Sequence, residues 1–181
     1  VSLSLQDKLN IASRLAEIGV DMIEGGYPLS NEKDTQFFQR IKSMSLGKSL
    51  VSAFGMTRRR GIAACDDPGM KALVAAETPA ITVVGKTWDF QATNVLGVSL
   101  QENIDMIAES VEFLNQHALV VYDAEHFFDG FKANQSYALE TVTAAAKAGA
   151  KWIVLCDTNG GTLPEEVSDI VRIATETLRP L

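Results

Sequence analysis

The 181-residue sequence is long enough for one domain with a sizeable core, and its 46% hydrophobic and 22% charged residues are typical of a globular protein. A net charge of −7 argues against a nucleic-acid partner or an anionic membrane, and no apolar run reaches the roughly 20 residues of a membrane span. Cys65 and Cys156 make no disulfide framework, so we expect a reducing cytoplasm.

Apolar periodicity predicts helices and strands that alternate along the chain. The first helix covers residues 5–18, and strand 20–24 follows it after Gly19. A capping box at 99–102 opens the fourth helix. The later helices are predicted at 32–43, 68–76, 99–116, 136–148 and 162–178, and the later strands at 50–54, 80–84, 118–125 and 151–157.

This alternation places the chain in the α/β class, with parallel strands joined by right-handed crossovers. A (β/α)8 barrel, the TIM barrel, and an open doubly wound sheet both fit. No Gly-x-Gly-x-x-Gly follows the first strand, and polar residues recur at the strand ends, which favours the barrel. The prediction has five strands and six helices, so we expect one partial barrel domain over residues 1–181 that supplies strands 2–6 and helices 1–6.

The segment YDAEHFFDGFKAN at 122–134 carries the strongest signal for a site. Asp123 and Glu125 leave a buried strand, and alternation places them on one face with His126 on the other. A turn is predicted at Asp129-Gly130. Two acids at the exit of a buried strand are costly unless a positive or hydrogen-bonding group meets them, so we predict a functional site here.

Other strand ends supply Glu24, Lys86 and Asp157 with Thr158. Any one of the acids could instead cap a helix or pair with a basic residue. Lys86 suggests either Schiff-base chemistry or, more simply, an ion-paired or anion-binding lysine. The arginines at 58–60 could bind the phosphates of a large cofactor or lie in a solvated loop. No metal-binding spacing of His and Cys is present, so we predict no metal site made by this chain alone.

Five segments resemble the citramalate synthase branch of the 2-isopropylmalate and homocitrate synthases, in the DRE-TIM metallolyase superfamily. They are GVDMIEGGYP (19–28), AFGMTRR (53–59), VVGKTWDF (83–90), YDAEHFFDGFKAN (122–134) and CDTNGGTLP (156–164). The resemblance implies a TIM barrel that condenses acetyl-CoA with a 2-oxo acid and then hydrolyses the thioester. In this branch the 2-oxo acid is pyruvate, and the product, citramalate, feeds isoleucine synthesis.

The resemblance also implies roles for individual residues. Glu125 matches a catalytic glutamate beside the metal and substrate, and Thr158 matches a threonine that binds the carboxylate of the 2-oxo acid. Glu24 matches a glutamate that lines the pocket. Asp123 stands where relatives have Tyr or Ser, and we expect it to take part in catalysis. Lys86 and Asp157 are expected near the substrate, and Arg58 and Arg59 near acetyl-CoA.

The family's metal-binding aspartate and its His-x-His motif are not found in this sequence. We therefore expect the ligands of a divalent metal (Mg, Mn or Zn), the first strand, the last two βα units and a C-terminal regulatory domain to lie outside the chain, and the isolated chain to be inactive. A homodimer is expected for the full-length form. Two alternatives are a carbon–carbon lyase similar to 3-hydroxy-3-methylglutaryl-CoA lyase and a non-catalytic half-barrel interaction module.

Overall fold

A computed structural model describes residues 3–180 of the chain. Its single sheet has five parallel strands that neighbour one another in chain order. The strands are β1 (Met22–Glu24), β2 (Leu50–Met56), β3 (Ala80–Lys86), β4 (Leu119–Glu125) and β5 (Trp152–Leu155). The helices are α1 (Leu5–Glu17), α2 (Glu32–Ile41), α3 (Pro68–Ala75), a π-helix (Gln91–Leu96), α4 (Leu100–Asn115), α5 (Phe127–Ala133), α6 (Gln135–Lys147) and α7 (Pro164–Leu178).

The strand order confirms the barrel prediction. In a doubly wound sheet the strand order reverses at a switch point, whereas each new strand here adds to the same side of the previous one. Repeating a parallel strand and its crossover in one direction is how a (β/α)8 barrel is built. The open doubly wound alternative is therefore wrong, and the chain forms a curled half-barrel.

The two faces of the sheet have different environments. One face packs under the helices and forms the core, with Ala53, Val83 and Tyr122 fully buried. The Tyr122 ring lies against Gly85 so closely that a Cβ there would approach its hydroxyl oxygen to 2.6 Å, which explains the glycine. The opposite face, called the inner face below, is more open, and Trp152 on it is 46% exposed. No helix in residues 3–180 is long and apolar enough to cross a membrane.

The structure corrects the predicted turn at Asp129-Gly130, because both residues lie inside α5. Gly130 is needed there for close packing: a Cβ would come within 2.5 Å of the Thr87 carbonyl oxygen and 2.9 Å of the Trp88 Cα. The π-helix was also not predicted. Residues 3–180 contain seven α-helices where six were expected, and α5 is the additional one.

Candidate active site at the carboxyl end of the sheet

Lys86 and Glu125 form an ion pair at the carboxyl end of the sheet. They are the last residues of β3 and β4 and are partners in the strand register. The Lys86 ammonium contacts the Glu125 carboxylate, and the side chains are only 13% and 27% exposed. The ion-paired alternative for Lys86 is confirmed, so its amine is not the free group that Schiff-base chemistry requires.

The backbone around this ion pair is also fixed by hydrogen bonds. The Thr87 hydroxyl donates to the Glu125 carbonyl oxygen over 2.6 Å. The buried Asn103 amide of α4 donates to the Lys86 carbonyl oxygen over 2.8 Å and to the Tyr137 hydroxyl over 2.7 Å. Both ends of the ion pair are therefore anchored to the core, which preorganises their charged groups.

Asp123, which is partly buried, and Glu24, which is exposed, add two carboxyl groups on the inner face. Asp123 is two residues before Glu125 in β4, and the predicted shared face of these acids is confirmed by the register. Burial raises the pKa of Asp123. Burial, and then the nearby charge of Asp123, raises the pKa of Glu24. Each group holds its proton to a higher pH than an exposed carboxyl would, as suits a group that exchanges protons.

Cys156, in the loop after β5, lies beside these acids. Burial, and then the charges of Asp123 and Glu125, raises the pKa of Cys156 to about 11. The thiol is therefore not an activated nucleophile. Alternation along the last strand is the signal that would have found it, because Val154 is the register partner of Asp123 and Cys156 follows two residues later.

Thr158 connects the loop after β5 to the end of β4. Its hydroxyl oxygen accepts the backbone N–H of His126 over 2.8 Å, which leaves the hydroxyl proton available to a ligand. His126 adopts a left-handed backbone conformation with φ of 56°, uncommon for a residue other than glycine. Its Nδ1 lies 3.2 Å from the Asp129 carboxylate, and its ring packs on Trp88. His126 thus braces the loop after β4 against Asp129 and Trp88.

Asp157 is engaged by its own loop. Its carboxylate accepts the Thr162 backbone N–H over 3.1 Å and the Thr162 hydroxyl over 3.0 Å. The backbone hydrogen bond from Thr162 is the main cause that lowers the pKa of Asp157. These contacts lie within the loop that precedes α7, whose N-cap is Leu163, so Asp157 does not cap a helix, and the structure does not bring this carboxylate into the cluster around Glu125.

The three consecutive arginines have different environments. The Arg58 guanidinium is 6% exposed and pairs with Glu109 at 2.6 Å and Glu102 at 3.1 Å, so it fastens the loop after β2 onto α4. Arg59 and Arg60 are exposed and line a cavity of about 680 Å³. The phosphate-binding prediction for Arg58 therefore does not suit its position, because its donors are already taken by carboxylates.

Within residues 3–180, no three His, Cys, Asp or Glu side chains are arranged to hold a metal ion. The residues present thus do not fit a divalent metal centre, and none of them is assigned as a metal ligand. The chemistry that this chain can supply is that of an ion-paired carboxylate, two protonatable carboxyls and a hydroxyl donor.

Comparison with known proteins gives a consistent result. A model of the HMGL-like family matches residues 1–180. The chain is 48% identical over 180 residues to an (R)-citramalate synthase of Aquifex aeolicus (strain VF5), covering 99% of this chain and 34% of that protein. It is 49% identical over 173 residues to an (R)-citramalate synthase of Geobacter sulfurreducens, covering 95% and 33%. The chain thus spans about a third of the length of these relatives.

Solved structures share the fold at low sequence identity. A hydroxymethylglutaryl-CoA lyase from Pseudomonas aeruginosa superimposes with a TM-score of 0.74 at 13% identity, over 98% of this chain and 59% of that one. An HMG-CoA lyase from Brucella melitensis gives a TM-score of 0.74 at 14% identity, over 98% of this chain and 62% of that one. Both matches show that the fold is shared, and at this low identity they do not indicate which reaction is catalysed.

Proposed function

Because the chain belongs to the HMGL-like family, we propose that the full-length protein, a chain of its relatives' length that contains these residues, is an acyltransferase. It condenses acetyl-CoA with a 2-oxo acid, pyruvate in the first instance, and releases citramalate and CoA. The observation that carries the proposal is the 43–49% identity to proteins named (R)-citramalate synthase over 94–99% of the chain. Proteins named 2-isopropylmalate synthase are 28–29% identical.

Glu125 is the proposed base of the condensation. Its carboxylate removes a proton from the acetyl methyl group, and the resulting carbanion forms a carbon–carbon bond to the ketone carbon of the 2-oxo acid. Lys86 is then left without its negative partner as Glu125 becomes neutral. The ammonium is held within contact of that carboxylate, so it can stabilise negative charge that develops on a nearby oxygen of the substrate.

Two further groups are proposed to bind the 2-oxo acid and to transfer a proton. The free hydroxyl proton of Thr158 donates to the substrate carboxylate, while the His126 N–H fixes the position of its oxygen. Asp123 and Glu24, whose pKa values are raised mainly by burial, offer a proton to the alkoxide formed from the ketone. Water then cleaves the thioester, and CoA leaves as the thiol.

The full-length protein is further proposed to use a divalent cation bound by residues outside this chain, which would polarise the ketone. A homodimer in the cytoplasm with a role in branched-chain amino-acid synthesis also belongs to the proposal. The lyase alternative has weaker support, because the lyase structures share only 12–18% of the sequence. Nothing specific favours the interaction module.

The test is a steady-state assay of the full-length protein with acetyl-CoA and a panel of 2-oxo acids, reading released CoA thiol and product mass. We expect citramalate from pyruvate, and a loss of about 10²–10⁴-fold in kcat for Glu125→Gln, since the amide cannot accept the proton. Glu112→Gln, an exposed position on α4, is the matched control. Cleavage of 3-hydroxy-3-methylglutaryl-CoA without condensation would contradict the proposal.

A further inference from the structure

The first turn of α5 departs from ordinary helix capping at the point where β4 ends. Its N-cap residue, His126, has a left-handed backbone conformation and makes no capping hydrogen bond with its side chain. In a capping box, an acid three residues after the N-cap accepts the backbone N–H of the N-cap residue. Asp129 occupies that position, yet the His126 N–H donates to the Thr158 hydroxyl oxygen over 2.8 Å. Departures of this kind from local rules are expected at functional sites.

Asp129 is bonded instead to the two residues that set the position of the Thr158 hydroxyl. Its Oδ2 accepts the side-chain amide of Asn159, the next residue after Thr158, over 3.0 Å. The same oxygen lies 3.2 Å from Nδ1 of His126, whose backbone N–H reaches the Thr158 oxygen. A carboxylate is only an acceptor, so both partners donate to it, which places a ring proton of His126 on Nδ1.

We infer that Asp129 is a positioning residue for the 2-oxo acid: it holds the loop after β5 against the end of β4, so that the Thr158 hydroxyl proton faces the substrate carboxylate. This inference rests on the proposed function. A hydroxyl can accept the His126 N–H and donate its own proton at the same time, provided that the loop stays in place. Misplacement of a binding group by about 1 Å is enough to lose much of its effect.

The loop after β5 has few other contacts that would hold Thr158. The Gly160 N–H donates to the Asp157 carbonyl oxygen over 2.9 Å, which joins the loop only to itself. Within residues 3–180, the hydrogen bonds that join residues 157–160 to other elements are those of Thr158 and Asn159. Removal of the acid that binds Asn159 therefore releases one of these two contacts directly and leaves the other without support.

Helix α5 has its own reasons to fold without this carboxylate. Phe127, Phe128 and Phe131 are buried in the core, and the Phe127 N–H donates to the Cys156 carbonyl oxygen over 3.2 Å. The Asp129 side chain is 27% exposed, and neither of its partners belongs to the hydrophobic core. A variant that lacks the carboxylate should therefore fold, and its defect should appear in substrate binding.

The kinetic test uses the full-length protein with Asp129→Ala, Thr158→Val and both changes together. We expect each single variant to raise the KM for the 2-oxo acid about tenfold, with the KM for acetyl-CoA unchanged, because one hydrogen bond to a charged group is lost or misplaced. The double variant should also be about tenfold weaker, whereas independent effects would multiply to about a hundredfold. Asp129→Asn should recover most of the loss, since its amide oxygen can still accept from Asn159.

Two further variants control this test. Asn159→Ala breaks the same contact from the loop side and should reproduce the rise in the KM for the 2-oxo acid. Asp169→Ala, whose side chain is 74% exposed on α7, should leave both KM values unchanged. An unchanged KM for the 2-oxo acid in Asp129→Ala and Asn159→Ala, or a hundredfold rise in the double variant, would overturn the inference, because the carboxylate would then not act through Thr158.

A binding measurement separates this inference from the proposed function. Oxamate has the shape and the carboxylate of pyruvate, but its amide carbonyl resists attack by a carbanion. Calorimetry should show that oxamate binds the wild-type protein and binds Asp129→Ala about tenfold more weakly. If the protein makes no condensation product but shows this difference, the proposed function fails and the positioning role stands. Equal binding to both proteins, or no binding to the wild type, would overturn the inference even in an active synthase.

Discussion

Lys86 and Glu125 are paired at the position where the proposed chemistry takes place, and each is only partly exposed. A buried or half-buried carboxylate keeps its orientation when a cation holds it, and removal of the cation leaves an uncompensated charge. The proposed role of Lys86 is thus to position Glu125 and then to face the charge that forms on the substrate.

We expect Lys86→Met to lower kcat about 10–100-fold with little change in the KM for acetyl-CoA, because the lost charge acts mainly in the transition state. Lys86→Arg should recover part of the loss, since it restores a cation at the same strand end. Circular dichroism and melting temperature report whether Lys86→Met has folded. Full activity in a folded Lys86→Met protein would show that the ion pair has no role in the reaction.

The burial of Asp123 predicts how the stability of the protein changes with pH. Its pKa is raised by burial above the usual 3.8, so the folded state disfavours the charged carboxylate and this group contributes most to stability below its unfolded pKa. As pH rises through the folded pKa, that contribution is lost. Asp123→Asn, which removes the charge, should therefore raise the urea midpoint at pH 7, with a gain that shrinks as the pH approaches 4.

The comparison of unfolding at pH 7 and pH 4 checks this sign. A variant that is less stable than the wild type at pH 7 would mean that the Asp123 carboxylate is stabilised by a partner in the full-length protein. Asp169→Asn, at an exposed position on α7, serves as the matched control for a loss of charge at the surface.

Helix α5 illustrates how an element holds the site together. It begins two residues after Glu125, and Gly130 lets it approach the backbone of Thr87 and Trp88, the residues after Lys86. The backbone N–H of Phe127 also donates to the Cys156 carbonyl oxygen over 3.2 Å. One short helix thus ties together the exits of three neighbouring strands.

Gly130→Ala should lower the free energy of unfolding by about 1–3 kcal/mol, because the added Cβ would lie 2.5 Å from a backbone oxygen that cannot move aside. This overlap outweighs the roughly 1 kcal/mol that alanine gains over glycine inside a helix. Gly161→Ala is the control, since no atom lies within 4 Å of its Cβ position and its change should stay within about 0.5 kcal/mol. Equal stability of the two variants, measured by urea unfolding, would contradict the packing argument.

The same helix shows where the sequence was misleading. Asp129-Gly130 is a strong turn signal by local rules, yet the glycine serves a contact with residues more than 40 positions earlier. Regular elements such as α4 were predictable because their signals are local: Ser99 accepts the Glu102 N–H at 3.1 Å, as its capping pattern indicates. The Glu102 side chain completes no such box and instead binds Arg58, which only the tertiary structure reveals.

At the scale of the whole molecule, the strand order determines which residues meet at the site. Five parallel strands in chain order bring their carboxyl ends to one rim, so acids far apart in sequence become neighbours. The α/β class and the acid wall of Asp123 and Glu125 could be predicted, because periodicity and strand ends are visible in the sequence. The identity of Glu125 as the partner of Lys86 and the cavity beside Arg59 and Arg60 could not, because they depend on the exact register and on loops from different units.

The most direct test of the central claim follows the methyl group of the acyl donor. The full-length protein is given pyruvate and acetyl-CoA in which all three methyl hydrogens are deuterium, and the products are examined by mass spectrometry. Removal of one deuteron followed by carbon–carbon bond formation predicts citramalate that carries two deuterium atoms in its methylene group. Release of acetate that keeps all three deuterium atoms, without labelled citramalate, would show simple thioester hydrolysis and contradict the account.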